Sequence, residues 1–248
     1  MQRPWCIAHR GAPEEAPENT RSAFLRALSY SIDGIELDVQ MSADGIPVLY
    51  HDKTLHRLGG GSRRIADLPL DQLRRLDWGG WFHPDFKGEP LMTLDRLLPM
   101  LDQCPRWFIE IKSRPGDQES GHAGRLTEKV VSMIDQWPGK ALQDRLYLLS
   151  FDAGVLIRAH KMAPHLRKIR NLAAMEVNTD IGDTRHLWAI DVPIQKLKSS
   201  TVQWARSRNL RIMTFTCNDP GKVAKAVRLG VDGIISDRPG WLAQQLGR

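Results

Sequence analysis

The sequence predicts an α/β chain folded as a TIM (β/α)8 barrel, and three observations predict it. The 248 residues match the ~250 that α/β barrels routinely occupy as one domain. Short apolar, β-prone runs alternate with helical stretches from end to end, the pattern of βα units feeding a parallel sheet. Those runs number eight once one hairpin is set aside: Trp5 to His9, Gly34 to Met41, Trp107 to Lys112, Leu146 to Phe151, Arg167 to Leu172, Leu187 to Pro193, Leu210 to Asn218 and Asp232 to Asp237.

The intervening helices are expected over Thr20 to Tyr30, Thr93 to Gln103, Gly124 to Gln136, Ala153 to Met162, Ser199 to Arg208 and Pro220 to Leu229, with a last one after Pro239. Asn178 and Gly182 interrupt the Ala173 to His186 crossover, which reads as partly loop. A ninth strand-like run, Ile46 to His51, follows the second strand after only Ser42 to Gly45. Parallel neighbours need a connection of about a dozen residues or more, so this pair is expected as an antiparallel hairpin turning at Asp44-Gly45. Pairing of residues near 40 and 47 would set His51 opposite Glu36 and on its face. The Gly-, Arg- and Trp-rich stretch over 53–90 fits no βα unit and reads as a small insertion over the barrel mouth, within a single domain spanning 1–248. Its aromatic cluster, Trp78, Trp81, Phe82 and Phe86, reads as a satellite core.

Composition narrows the function classes. With 42% apolar and 26% charged residues, the chain has enough apolar material for a sizeable core. The net charge of +6 favours anionic ligands, but the basic residues are dispersed, so nucleic acid is not expected as a partner. Three cysteines, Cys6, Cys104 and Cys217, show no metal or redox spacing and read as reduced core residues. The first residues lack the apolar run of ~7 to 15 that a secretory signal needs, and no stretch reaches the ~20 of a membrane span, so the expected location is cytoplasmic.

Chemistry concentrates at strand ends. Residues two apart on a strand share a face, so Glu36 and Asp38 project together, as do Glu110 and Lys112 on the next barrel strand, while apolar neighbours point the other way. Three buried carboxylates call for a bound cation or for basic partners. Oxygen donors of this kind suit Mg²⁺ or Ca²⁺, with Mn²⁺ also allowed; the competing reading is an ion-pair network with Arg10 and Lys112. His9 ends the first strand and His51 ends the hairpin strand, and two histidines near one metal site can divide proton transfer, one removing a proton and the other donating one. Arg10 and Lys112 can then hold phosphate oxygens. Asn19 or Thr20 reads as a helix cap, which leaves Glu18 at the mouth to orient Arg10 or His9.

Ala8-His9-Arg10-Gly11, Pro17-Glu18-Asn19-Thr20, Gly34-Ile35-Glu36-Leu37-Asp38-Val39, Asp44-Gly45 to His51-Asp52, and Ile109-Glu110-Ile111-Lys112 resemble, in order, the motifs of the glycerophosphodiester phosphodiesterase family of bacterial cytosolic type. The resemblance continues through Lys87-Gly88-Glu89-Pro90, Ser150-Phe151 and Gly230 to Asp237. It implies a TIM barrel and metal-dependent hydrolysis of glycerophosphodiesters, such as glycerophosphocholine or glycerophosphoethanolamine, to sn-glycerol 3-phosphate and an alcohol. It also implies one divalent cation on Glu36, Asp38 and Glu110, His9 and His51 as the acid–base pair, and Arg10 and Lys112 as phosphate contacts. Near the seventh strand many relatives have an aromatic-Thr-Val-Asn sequence where this chain has Phe215-Thr216-Cys217-Asn218, so Phe215 would pack on the glycerol end without a polar tip. Two other readings compete. A lysophospholipase D-like enzyme on the same barrel would act on acylated substrates and need an apolar rim. A non-catalytic barrel would show replacements among the two histidines and three carboxylates, and none is replaced.

Overall fold

In the computed structural model, which describes residues 3–137, 144–174, 176 and 181–248, eight parallel strands close into a ring. These are β1 (Trp5–His9), β2 (Gly34–Met41), β4 (Trp107–Ile111), β5 (Leu146–Ser150), β6 (Arg167–Asn171), β7 (Ala189–Pro193), β8 (Arg211–Phe215) and β9 (Gly233–Ser236). They neighbour one another in that order, and β1 pairs with both β2 and β9, which closes the barrel. The predicted (β/α)8 barrel is the observed fold. The extra strand, β3 (Pro47–Leu49), pairs antiparallel with the far end of β2 and stands outside the ring.

Strand parity sorts the side chains. Ile35, Leu37, Val39, Trp107, Ile109 and Ile111 face outward and are buried under the helices. The helices among the described residues are α1 (Arg21–Leu28), α2 (Leu70–Leu73), which lies in the segment after β3, α3 (Leu94–Leu97), α4 (His122–Asp135), α5 (Ala153–Met162), α6 (Ser199–Ser207), α7 (Pro220–Leu229) and α8 (Pro239–Gln245). Phe24 of α1 meets Trp107 edge to face at 5.8 Å. Thr20 caps α1 by accepting from the amide of Ala23, which leaves Asn19 for another task. The inward set, Ile7, Phe108, Tyr147, Leu149, Ile169, Ala189, Met213 and Ile235, fills the barrel with Trp5 and Trp188 at its lower end, where the two indoles stack at 5.6 Å. That filling closes the floor, so anything bound at the C-terminal ends of the strands sits above a solid plug.

Two expectations need correction. The Thr93 to Gln103 helix is α-helical only over Leu94–Leu97 and continues as tighter 3₁₀ turns over Leu98–Gln103. Pro99 explains the change, because it has no N–H to donate back to the preceding turn. The hairpin register is also one residue away from the predicted one: Met41 pairs with Pro47, Gln40 with Val48 and Val39 with Leu49. The turn closes Ser42 on Ile46 over three residues, with Gly45 supplying the left-handed φ of 79°. A one-residue slip turns alternate side chains over, so strand pairing does not carry His51 to the face of Glu36. The chain leaves the strand instead. Gln40 Nε2 donates to the carbonyls of Tyr50 at 2.7 Å and Asp52 at 2.9 Å, and this bend brings His51 over the mouth.

The segment after β3 folds on itself. Leu55, Ile65, Leu68, Leu73 and Trp78 bury together with Val48, Tyr50 and Leu91 in a small cluster apart from the barrel core. Trp81, Phe82 and Phe86 continue it edge to face at 5.8 and 5.5 Å, half-buried. In the Ala173 to His186 crossover, residues 175 and 177–180 lie outside the described residues, and the remainder carries no helix or strand. Cys6, Cys104 and Cys217 are all buried and unpaired. Among the described residues no helix is long and apolar enough to cross a membrane.

Candidate active site

The inward residues at the C-terminal ends of the strands enclose a cavity of about 200 Å³ lined by His9, Arg10, Glu36, His51, Glu110, Lys112, Leu149, Phe151, Asn171, Asp191, Phe215, Thr216 and Ile235. Parallel pairing places His9 beside Glu36 and Asp38 beside Glu110, so three successive strands present their polar ends at one level. Oxygens of Glu36, Asp38 and Glu110 lie within 4.8 Å of one another, and the three residues are 3%, 0% and 7% exposed.

Two cations face these three carboxylates. Lys112 Nζ lies 2.6 Å from Asp38 Oδ1 and 2.7 Å from Glu110 Oε1, and Arg10 Nε lies 3.0 Å from Asp38 Oδ2. Asn19 completes the hold on Asp38: its Nδ2 donates to Asp38 Oδ2 at 2.9 Å and its Oδ1 accepts from the Asp38 amide at 3.1 Å. Burial opposes ionisation of Asp38, but Lys112 and then Arg10 outweigh it and hold the carboxyl well below its usual range. Glu36 has the opposite fate. Burial, followed by the charges of Asp38 and Glu110, pushes its carboxyl well above the ordinary value. Two positive charges for three carboxylates leave the cluster one charge short, and a divalent cation would remove the shortfall. Asp38 Oδ1 also lacks an aligned hydrogen bond although Lys112 stands close, so a lone pair remains for coordination. The donor set therefore fits a hard cation bound through oxygen.

Each histidine is held by a carboxylate at Nδ1. Asp237 Oδ1 lies 2.5 Å from His9 Nδ1, and the other ring nitrogen of His9 lies 3.8 Å from Glu36 Oε2. Asp237 is fixed in turn by Asn218, whose Nδ2 donates to Asp237 Oδ2 at 2.5 Å and whose Oδ1 accepts from Ser236 Oγ and the Asp237 amide, both at 2.9 Å. Burial works against the Asp237 charge, but its bond to His9 prevails and keeps the carboxyl below its usual range. Asp52 Oδ1 lies 3.1 Å from His51 Nδ1. With Nδ1 partnered by a carboxylate on both rings, Nε2 is the nitrogen each ring leaves toward the cavity.

The predicted site residues converge, with roles that differ in detail. Glu18 accepts from Arg10 Nη1 at 3.2 and 3.3 Å, so of its two expected partners it holds Arg10. Lys112 and Arg10 both spend donors on carboxylates, while Phe215 meets Phe151 edge to face at 6.1 Å on the apolar wall. Sequence reasoning missed Asp237, Asn171 and Asp191. Asn171 Nδ2 donates to Glu110 Oε2 at 3.2 Å. Asp191 is buried, and burial followed by the charge of Glu110 raises its carboxyl well above the ordinary range. All three residues share the inward parity of Glu36, Asp38 and Glu110, which is the signal that identifies them.

Three comparisons bear on this geometry. The glycerophosphoryl diester phosphodiesterase family model matches residues 9–241. A glycerophosphodiester phosphodiesterase of Caldanaerobacter subterraneus is 30% identical over 244 residues, covering 94% of this chain and 93% of its own. One from Bacillus altitudinis is 28% identical over 240 residues, covering 94% of each. Among solved structures, an Oleispira antarctica phosphodiesterase in complex with the product sn-glycerol-3-phosphate superposes with a TM-score of 0.88 at 26% identity, over 99% of this chain and 97% of that chain.

Proposed function

The chain belongs to the glycerophosphoryl diester phosphodiesterase family, and from that premise we propose that it hydrolyses glycerophosphodiesters to sn-glycerol 3-phosphate and an alcohol, with His9 and His51 as the acid–base pair. The observation that carries the proposal is the convergence of Glu36, Asp38 and Glu110 within 4.8 Å at a barrel mouth lined by both histidines. Glu36, Asp38 and Glu110 would hold one Mg²⁺, Ca²⁺ or Mn²⁺ ion. When bound, such an ion supplies positive charge that offsets the charge building on the phosphate oxygens.

The chain's own residues do the rest. Arg10 and Lys112 would approach the phosphate from the same wall as the carboxylates and add fixed positive charge there. One imidazole takes the proton from the attacking hydroxyl through Nε2, and the other gives its proton to the departing alkoxide. In the two-step version the glycerol 2-hydroxyl attacks phosphorus and water then opens the cyclic phosphate, so the histidines exchange roles between steps. Phe151 and Phe215 offer an apolar face to the glycerol carbons, while the Oδ1 atoms of Asn171 and Asp191, buried without a hydrogen-bond partner among the described residues, offer acceptors to its hydroxyls. The relatives reported above are named as glycerophosphodiester phosphodiesterases and do not favour the lysophospholipase D-like alternative.

The test is a coupled assay for released glycerol 3-phosphate with glycerophosphocholine and glycerophosphoethanolamine, run with EDTA and with Mg²⁺, Ca²⁺ or Mn²⁺ restored. The expected result is turnover that stops on chelation and returns with the cation. Unchanged turnover in EDTA would refute the metal assignment.

A further inference from the structure

Arg57 takes no part in the chemistry above, yet it joins two halves of the site. It lies in the single turn His56–Leu58 of the segment that follows β3. Its Nη2 stands 2.8 Å from Glu18 Oε1 and 2.8 Å from Asp52 Oδ2. Glu18 holds Arg10, and Asp52 holds His51. One guanidinium nitrogen therefore links the carboxylate behind a proposed phosphate contact to the carboxylate behind a proposed acid–base group.

The guanidinium is itself held by its surroundings. It lies 4.2 Å from the Trp81 ring and 5.7 Å from the Tyr50 ring, and Tyr50 packs edge to face on Trp78 at 5.5 Å. Aromatic faces stabilise a cation beside them, and a planar guanidinium gains more from stacking than an ammonium does. Glu18, His51 and Asp52 also have the spacing of a cation site, but the Arg57 nitrogen already bridges its two carboxylates. This group is filled by a side chain, in contrast to the Glu36 group, which is a charge short.

We propose that Arg57 is a positioning residue that sets Arg10 and His51 relative to each other, acting through Glu18 on one side and through Asp52 on the other. The inference rests on the phosphodiesterase reading given above. Without Arg57, Glu18 and Asp52 each lose a charged partner and the tie between them, so the Glu18–Arg10 pair and the Asp52–His51 pair can shift independently. A displacement of ~1 Å in a catalytic group can cost ~10²-fold in rate.

The experiment uses the full chain with cation added, glycerophosphocholine as substrate and glycerol 3-phosphate release as readout. Variants are Arg57→Ala, Asp52→Asn, Glu18→Gln and the two doubles containing Arg57→Ala. Arg57→Ala alone is expected to lower kcat/KM by about 10²-fold, lowering kcat through His51 and raising KM through Arg10. On the Asp52→Asn background it should no longer lower kcat but should still raise KM, and on Glu18→Gln the reverse. Effects that multiply independently in both doubles would overturn the proposal, as would Arg57→Ala activity within about threefold of wild type. A thermal melt accompanies each variant. Should Arg57→Ala fail to fold, Arg57→Lys takes its place in the same crossed design under the same criteria. A wild-type chain that releases no glycerol 3-phosphate would overturn the parent reading and this inference together. An active wild type with independent effects overturns the inference alone.

Discussion

Replacing Asp237 by asparagine changes neither its size nor its shape, and the structure says why it should nevertheless cost most of the activity. Asp237 presents one oxygen to His9 Nδ1 and the other to Asn218 Nδ2, both at 2.5 Å. Asn218 cannot turn its amide to adapt, because its Oδ1 already accepts from Ser236 Oγ and from the backbone. The new amide therefore has two orientations, each with a fault. With its NH₂ toward His9, Nδ1 must accept and the proton moves to Nε2, which leaves the working nitrogen in the wrong tautomer for a base. With its NH₂ toward Asn218, two donors meet. General acid–base groups contribute ~10²–10⁴-fold to rate, and the same substitution behind the histidine of a serine-protease triad costs ~10⁴-fold. At ~1.36 kcal/mol per decade, the expected loss in kcat is about 3–5 kcal/mol of transition-state stabilisation. The assay is kcat for glycerol 3-phosphate release under saturating substrate and cation, with a thermal melt to establish folding. His9→Ala should lose at least as much, and adding Asp237→Asn to it should change little, since both remove one function. A folded Asp237→Asn enzyme with kcat within threefold of wild type would refute the tautomer argument.

His51→Ala should abolish most turnover, by ~10²-fold or more, while leaving the melt near wild type because His51 stands outside the cores; near-normal activity would remove it from the acid–base pair. Cation at ~100 times its dissociation constant should stabilise the fold by about 2.7 kcal/mol, a rise of ~5–10 °C in thermal midpoint, and Glu36→Gln should reduce that rise. In chelator, the pH dependence of stability has two windows. The Asp38 carboxyl is held low by Lys112 and Arg10 against its burial, so its stabilisation is complete above ~3.9 and is lost as pH falls below that value. The Glu36 and Asp191 carboxyls are raised by burial, so stability should instead decline as pH climbs above ~4, and added cation should flatten that decline. Denaturant melts at several pH values with EDTA or Mg²⁺ check both slopes; a chelated protein whose stability rises steadily from pH 4 to 7 would contradict the second.

The barrel was legible in the sequence because period-two burial and short connections leave few alternatives for eight βα units. The carboxylates were legible for the same reason: on a strand, parity alone assigns Glu36, Asp38 and Glu110 to the inside. Asp237, Asn171 and Asp191 obey the same parity, but as isolated polar residues on later strands they lacked a neighbour to draw attention. His51 was placed correctly for an incorrect reason. Its position depends on a three-residue turn and on the Gln40 side chain gripping the following loop, and sequence periodicity reports neither. Arg57 was invisible, since its importance arises from two carboxylates that are 39 and 5 positions away along the chain and come together only around the folded mouth.

The plug of inward side chains beneath the site has a kinetic consequence. A barrel stoppered at one end offers a cul-de-sac, with a single doorway for arrival and departure. On the phosphodiesterase reading, the substrate and both products pass through that one doorway, at which His9, Arg10, Glu36, His51, Glu110 and Lys112 stand. A product still in the cul-de-sac therefore blocks the path that the next substrate needs.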